Sequence, residues 1–148
     1  MSDLFSLNGK TAIITGGSSG IGAMIAKSFV ENGVKTYITS RKEEILVKKA
    51  KEFSNYGECI ALQSDLSSNE GILEFVKTIS NLEDGMDILV NNAGTSWGAS
   101  IEEFPEQGWD KVMNINLKSI FFLTQKLLPL LKISGTAEDP ARVINIAS

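Results

Sequence analysis

The sequence predicts an α/β fold: a doubly wound parallel sheet with helices on both faces. Three observations predict it. Short runs rich in β-branched and apolar residues alternate with longer segments of helical periodicity along the chain. The first and fourth of those runs, 11–15 and 86–90, are almost continuously apolar, as strands covered on both faces are. With 148 residues and no repeat, low-complexity tract or linker, the chain reads as one domain large enough to bury a sizeable core.

The first strand spans 11–15, and the glycine-rich stretch 16–22 turns it into a helix. Ile21, Met24, Ile25 and Phe29 recur at helical spacing there, and Asn32-Gly33 supplies a C-terminal stop. A second strand at 35–40 leads to a charged helix over 42–53, and a third strand covers 59–63. Ser67 and Glu70 stand three apart, the spacing of a capping box. They open a helix whose Ile72, Leu73, Val76 and Ile79 share a face. A fourth strand at 86–90 runs into a loop. Pro105 suits the start of a long helix, since proline has no N–H to leave unpaired there; apolar residues continue to Leu128, and Pro129 kinks or ends it. Residues 134–140 read as an exposed loop and 142–147 as a fifth strand. Strands joined through helices require right-handed crossovers, which makes the sheet parallel.

Charge and composition exclude several functions. Fourteen Lys and Arg against eighteen Asp and Glu leave a net charge of −4, which argues against a nucleic-acid partner. Histidine is absent, removing His-based acid–base and nucleophile chemistry and the common zinc ligand sets, so no metal is expected. Cys59 is a single cysteine and forms no internal disulfide. The first ten residues do not have the pattern of a signal peptide, and no apolar stretch has the length of a membrane span. A cytoplasmic protein without a membrane partner is the expectation. The chain stops at Ser148, on the tip of what reads as a central strand, so the domain 1–148 is expected to be the N-terminal part of a longer protein.

The strongest chemical signal is Thr15-Gly16-Gly17-Ser18-Ser19-Gly20-Ile21-Gly22, between the first strand and the first helix. A diphosphate needs backbone N–H groups aimed at it, no Cβ in the way and the positive end of a helix dipole. Gly16 or Gly17 permits the tight turn, Gly20 permits close approach of the phosphates, and Gly22 lets the helix lie close to the sheet. A glycine-rich turn that binds nothing is the bland alternative, but four glycines in seven residues at this junction weigh against it. No GKS or GKT ending follows, which disfavours a P-loop hydrolase.

Thr15 to Gly22, Asp65-Leu66 after the third strand, Asn91-Asn92-Ala93-Gly94 after the fourth, Asn116 in Asn-Leu-Lys, and Ile144 to Ser148 come in an order that resembles the short-chain dehydrogenase/reductase (SDR) family, over essentially the whole chain. The resemblance implies a Rossmann-like fold and a nicotinamide cofactor. Its contacts would be Gly16, Ser18, Ser19, Gly20, Ile21 and Gly22 in the loop, then Ser40, Arg41 and Lys42 at the end of the second strand. Asp65-Leu66 would lie at the adenine, and Asn92, Ala93 and Gly94 along the sugar and pyrophosphate.

At the end of the second strand, a carboxylate would bond the ribose hydroxyls of NAD; Ser40 stands in its place, followed by Arg41-Lys42. A guanidinium there can pair bidentately with a 2′-phosphate, so NADP(H) is favoured over NAD(H), although both cations also read as solvated charges opening a helix. Ser19 occupies a loop position where some NADP-dependent members carry a second basic residue. Asp65 either accepts from the adenine amine or caps the next helix.

Trp109, Met113, Asn116, Ile120, Leu123 and Leu127 step along one predicted helical stripe, which places the Asn116 amide among apolar neighbours. Asn116 then either fixes a helix–helix register or, as the family resemblance implies, binds a water that relays protons to a catalytic lysine. Ser148 matches the family's catalytic serine. The tyrosine that should stand four residues before a lysine is not present: the tyrosines are Tyr37 and Tyr56, followed four later by Arg41 and Ile60.

The expected function is hydride transfer between NADP(H) and a carbonyl or alcohol substrate, for example a 3-oxoacyl thioester or small ketone, with the fragment itself inactive. The alternative is a non-catalytic NADP-binding sensor or scaffold. The apolar helix 106–131 is expected to pair across a homo-dimer or homo-tetramer.

Overall fold

A computed structural model describes residues 5–147. Five strands, β1 (Thr11–Thr15), β2 (Lys35–Ser40), β3 (Cys59–Gln63), β4 (Ile88–Asn91) and β5 (Arg142–Asn145), form one sheet in the order β3-β2-β1-β4-β5. Every pair is parallel, with Ile13 level with both Tyr37 and Leu89. The helices α1 (Gly20–Glu31), α2 (Glu43–Phe53), α3 (Asn69–Leu82), α4 (Glu106–Met113) and α5 (Ser119–Ser134) make the crossovers. The chain winds outward from β1 to β3, then crosses back to β4 on the other side of β1. Keeping one crossover hand while reversing direction puts α1 and α2 on one face and α3, α4 and α5 on the other.

The two-residue period of the strands divides the core accordingly. Ala12, Ile14, Ile38, Ile88 and Val90 meet Ala26 and Val30 of α1 and Leu46, Ala50 and Phe53 of α2. Ile13, Tyr37 and Leu89 meet Ile72, Phe75 and Ile79 of α3 and Leu123, Leu127, Leu130 and Leu131 of α5. Each fully buried aliphatic side chain contributes roughly 1.5–3 kcal/mol, so both layers are needed to hold the sheet.

Several expectations shift. Helix α1 packs through Gly22, Ala26 and Val30, while Ile21 and Met24 are exposed: small residues let its backbone approach the sheet, and the larger side chains turn outward. Leu73 of α3 is likewise exposed, and Phe75 takes its place in the core. Ser68, not Ser67, caps α3, its side chain accepting from the Gly71 N–H at 3.0 Å. The long helix is continuous over 106–134 but contains a π turn, Asn114–Lys118, between α4 and α5. One extra residue in that turn breaks the predicted stripe: Leu123 and Leu127 are buried, whereas Trp109 is exposed. Pro129 lies inside α5 without ending it, because the carbonyl it leaves unpaired belongs to exposed Gln125, within reach of solvent. Strand β5 pairs with β4 at the last position of the described sheet, where Val143 and Ile144 are about 40% exposed. No helix of the described residues is long and apolar enough to cross a membrane.

At the amino ends of the strands, the buried Tyr37 hydroxyl donates to Glu83, which also takes an ion pair from Lys35 at 2.6 Å. Burial, reinforced by the Glu83 bond, pushes the Tyr37 phenol from its ordinary 10.0 up to about 12. Its contribution to stability is complete below the unfolded value near 10 and is lost as pH rises through the folded one. Alkaline denaturation of Tyr37→Phe is expected to lose stability less steeply between about pH 10 and 12 than the parent protein; coincident curves would contradict this.

Candidate cofactor site

The carboxyl ends of β1, β2 and β4 surround a cleft of about 540 Å³, a usual size for a small-molecule site, at the point where the winding reverses. Its floor is the loop after β1. Gly16 and Gly20 have φ of +66° and +54°, which glycine adopts without strain. Gly16 and Gly17 donate their N–H groups to the Thr39 carbonyl at 2.8 and 3.3 Å, and a Cβ on Gly17 would stand 2.6 Å from Ile38 Cγ2. A Cβ on Gly22 would press into the Gly16 carbonyl and the Asn92 amide. Ser19 is the N-cap of the twelve-residue helix α1 but makes no side-chain cap bond, so its hydroxyl does not occupy the first-turn N–H groups, which have no partner within the helix.

The loop after β4 is locked onto this floor. Thr15 Oγ1 accepts from the N–H groups of Asn92 and Ala93, both at 2.9 Å, while Asn92 Nδ2 donates to the carbonyls of Thr15 and Gly16 at 3.0 and 3.3 Å. The Asn92 side chain is therefore a brace between loops, and Ala93 and Gly94 form the cleft wall. Buried Asn91 donates to Asn145 Oδ1 at 2.9 Å and Thr124 Oγ1 at 3.2 Å, tying β4 to β5 and α5.

From the end of β2, Ser40, Arg41 and Lys42 line the cleft, with no acid beside them on that strand. Leu66, 5% exposed, forms an apolar wall. Asp65 does not line the cleft. Its Oδ1 accepts from the Ser67 hydroxyl at 2.6 Å and the Ser67 N–H at 3.0 Å, building the turn into α3. The Ser67 hydroxyl bond holds its carboxyl below the usual range, and the Arg41 charge adds to this.

Asn116 lies in the π turn, exposed rather than packed among apolar residues: its Oδ1 accepts from Thr95 N–H and its Nδ2 donates to Thr95 C=O, each at 2.9 Å. The amide thus clamps the strand-to-helix loop instead of setting a helix–helix register. A π turn is often found at functional sites, and here the insertion aims Asn116 at the loop that follows Gly94.

The structure gathers Gly16, Ser18, Ser19, Ser40, Arg41 and Lys42 with Leu66, Ala93 and Gly94 around one cleft. Gly20, Ile21 and Gly22 are not among the residues lining the cleft: Gly20 and Ile21 are exposed and Gly22 is buried. Ser148 is outside the described residues. Sequence reasoning missed Thr39, Lys111 and Ile115, which also line the cleft, Lys111 from α4 and Ile115 from the π turn. Neither tyrosine is at the cleft: Tyr37 bonds Glu83 at the far end of α3, and Tyr56 is exposed after α2.

Fold and cleft define an α/β domain of the class that holds a dinucleotide at a sheet's switch point. The chain belongs to the short-chain dehydrogenase family, whose profile matches residues 10–148. It is 49% identical, over all 148 residues, to the rhamnolipids biosynthesis 3-oxoacyl-[acyl-carrier-protein] reductase of Pseudomonas aeruginosa, of which it spans 58%. To the D-beta-hydroxybutyrate dehydrogenase of Cupriavidus necator it is 37% identical over 145 residues, covering 96% of this chain and 54% of that one. Among solved structures, it matches the Pseudomonas aeruginosa RhlG/NADP active-site complex with a TM-score of 0.95 and 49% identity, covering 100% of this chain and 58% of that one. The chain thus spans little more than half the length of these relatives.

Proposed function

We propose that the full-length protein is an NADP-dependent oxidoreductase acting on a carbonyl or alcohol substrate, of which a 3-oxoacyl thioester is the leading candidate. The observation that carries this reading is Arg41 and Lys42 in the cleft at the end of β2, where no carboxylate stands to repel a 2′-phosphate. The residues fit the group: the glycine loop leaves no Cβ where phosphates must approach, and the first turn of α1 is uncapped by side chains. Relatives add support, one named as a 3-oxoacyl reductase and one solved with NADP.

When bound, the nicotinamide supplies or accepts the hydride; the protein's part is to hold and orient it. Gly16, Ser18 and Ser19 would face the phosphates, Arg41 and Lys42 the 2′-phosphate, and Ala93 and Gly94 the sugar. Ser148 would bond the substrate oxygen and steady its charge. Asn116, through the loop it clamps, would position the water that serves a lysine, and that lysine with its tyrosine would come from residues outside this chain. The exposed apolar side chains of Trp109, Leu117, Phe121 and Leu128 support pairing of helix 106–131 with a second copy.

Titration of the full-length protein with NADPH and NADH tests the cofactor reading. Arg41→Ala is expected to weaken NADPH about 10- to 100-fold, the scale of a charge-assisted contact, and to leave NADH within about twofold. Equal losses for the two nucleotides would overturn it.

A further inference from the structure

One buried hydroxyl at the cleft has no hydrogen-bond partner within the protein. Thr39 is 1% exposed, and its Oγ1 is the one buried side-chain polar atom among the described residues that finds no hydrogen-bond partner. Its neighbours differ. Thr15, level with Thr39 on the adjacent strand, bonds two N–H groups, and Thr36 of β2 donates to the Val34 carbonyl at 3.0 Å. Alternation along β2 puts Thr39 on the face of Tyr37, the side that carries Leu66 and Ile115. There it lines the cleft between Gly16 and Ser40.

A buried, unpaired hydroxyl lowers stability, and valine would fill the same volume without that cost. The position makes sense once a polar group enters the cleft. Thr39 immediately precedes Ser40-Arg41, the end assigned to the 2′-phosphate, and the nearby apolar walls, Leu66 and Ile115, suit the faces of a purine. Gly94 and Thr95 lie toward Asn116, at the other end.

We propose that Thr39 is a cofactor-binding residue whose buried hydroxyl hydrogen-bonds the adenosine half of the dinucleotide held in this cleft. The proposal rests on the NADP(H) reading above. It requires the hydroxyl to add nothing to the stability of the free protein and to act only on the loaded one.

The test uses full-length parent, Thr39→Val and Thr39→Ser proteins, with melting temperature measured without ligand. Dissociation constants are measured by calorimetry for NADPH, adenosine 2′,5′-bisphosphate and nicotinamide mononucleotide. Thr39→Val is expected to melt at or above the parent, and to bind NADPH and the bisphosphate about 3- to 10-fold more weakly, with the mononucleotide unchanged. Thr39→Ser is expected to bind as the parent does. If Thr39→Val binds NADPH as tightly as the parent, or melts clearly lower, the role of Thr39 is overturned and the cofactor reading stands. Equal loss on the mononucleotide overturns the assignment to the adenosine half. A parent protein that binds neither NADPH nor the bisphosphate overturns both readings.

Discussion

Gly22→Ala is expected to destabilise the protein by about 2–3 kcal/mol and to abolish measurable dinucleotide binding at micromolar concentrations, although a single methyl group is added. The added Cβ would press against the Gly16 carbonyl and the Asn92 amide, where the loop after β1 is pinned to the loop after β4. One neighbour is backbone, and it cannot swing aside as the end of a flexible side chain would. Relief requires α1 to move off the sheet, which loosens the packing of Ala26 and Val30 and displaces the floor of the cleft. For a chain of this size, the loss lowers the melting temperature by roughly 5–10 °C. Gly20→Ala is the control. It has open space around its Cβ and φ of +54°, so it is expected to cost only about 1–2 kcal/mol, from the left-handed backbone alone. If Gly22→Ala melts within about 2 °C of the parent protein and binds NADPH normally, the close approach of helix and loop is not what shapes this site.

Much of this architecture is legible in the residues because β1, β2 and β3 are short runs rich in β-branched or apolar residues with clear breaks, and their bounds agree with the pattern. The glycine stretch and Asn91 to Gly94 also fall at the carboxyl ends of their strands, as the motifs require. Legibility fails where a residue's role depends on a partner distant in sequence. Ser67 has the capping spacing, but Asp65 captures its hydroxyl and Ser68 takes the cap. Asn116 looks like a buried polar residue in a regular stripe, yet the π turn rotates it to Thr95, 21 residues earlier. Asn92 reads in sequence as part of the cofactor loop, and that its amide also braces the loop after β1 shows only in the fold. Thr39 is invisible in sequence, since an unpaired hydroxyl is a fact of its surroundings.

Thr15→Val is expected to cost about 2–5 kcal/mol, the larger of the two threonine effects, because it leaves the N–H groups of both Asn92 and Ala93 without their acceptor. Valine fills the same space, so no cavity is made and the loss comes from two unpaired donors. The pairing of Thr15 with Thr39 across β1 and β2 makes this a controlled comparison: the same substitution, on adjacent strands, at one end of one cleft. At Thr39 the hydroxyl is unpartnered in the protein, so valine leaves free stability intact. At Thr15 the hydroxyl holds the loop that carries Ala93 and Gly94, so valine lowers stability and, by loosening that wall, affinity as well. Urea denaturation of the two valine variants should therefore separate them by at least about 2 kcal/mol, with Thr15→Ser recovering most of the loss. Equal denaturation midpoints for the two variants would mean that the bonds from Asn92 and Ala93 to Thr15 do not hold the two loops together.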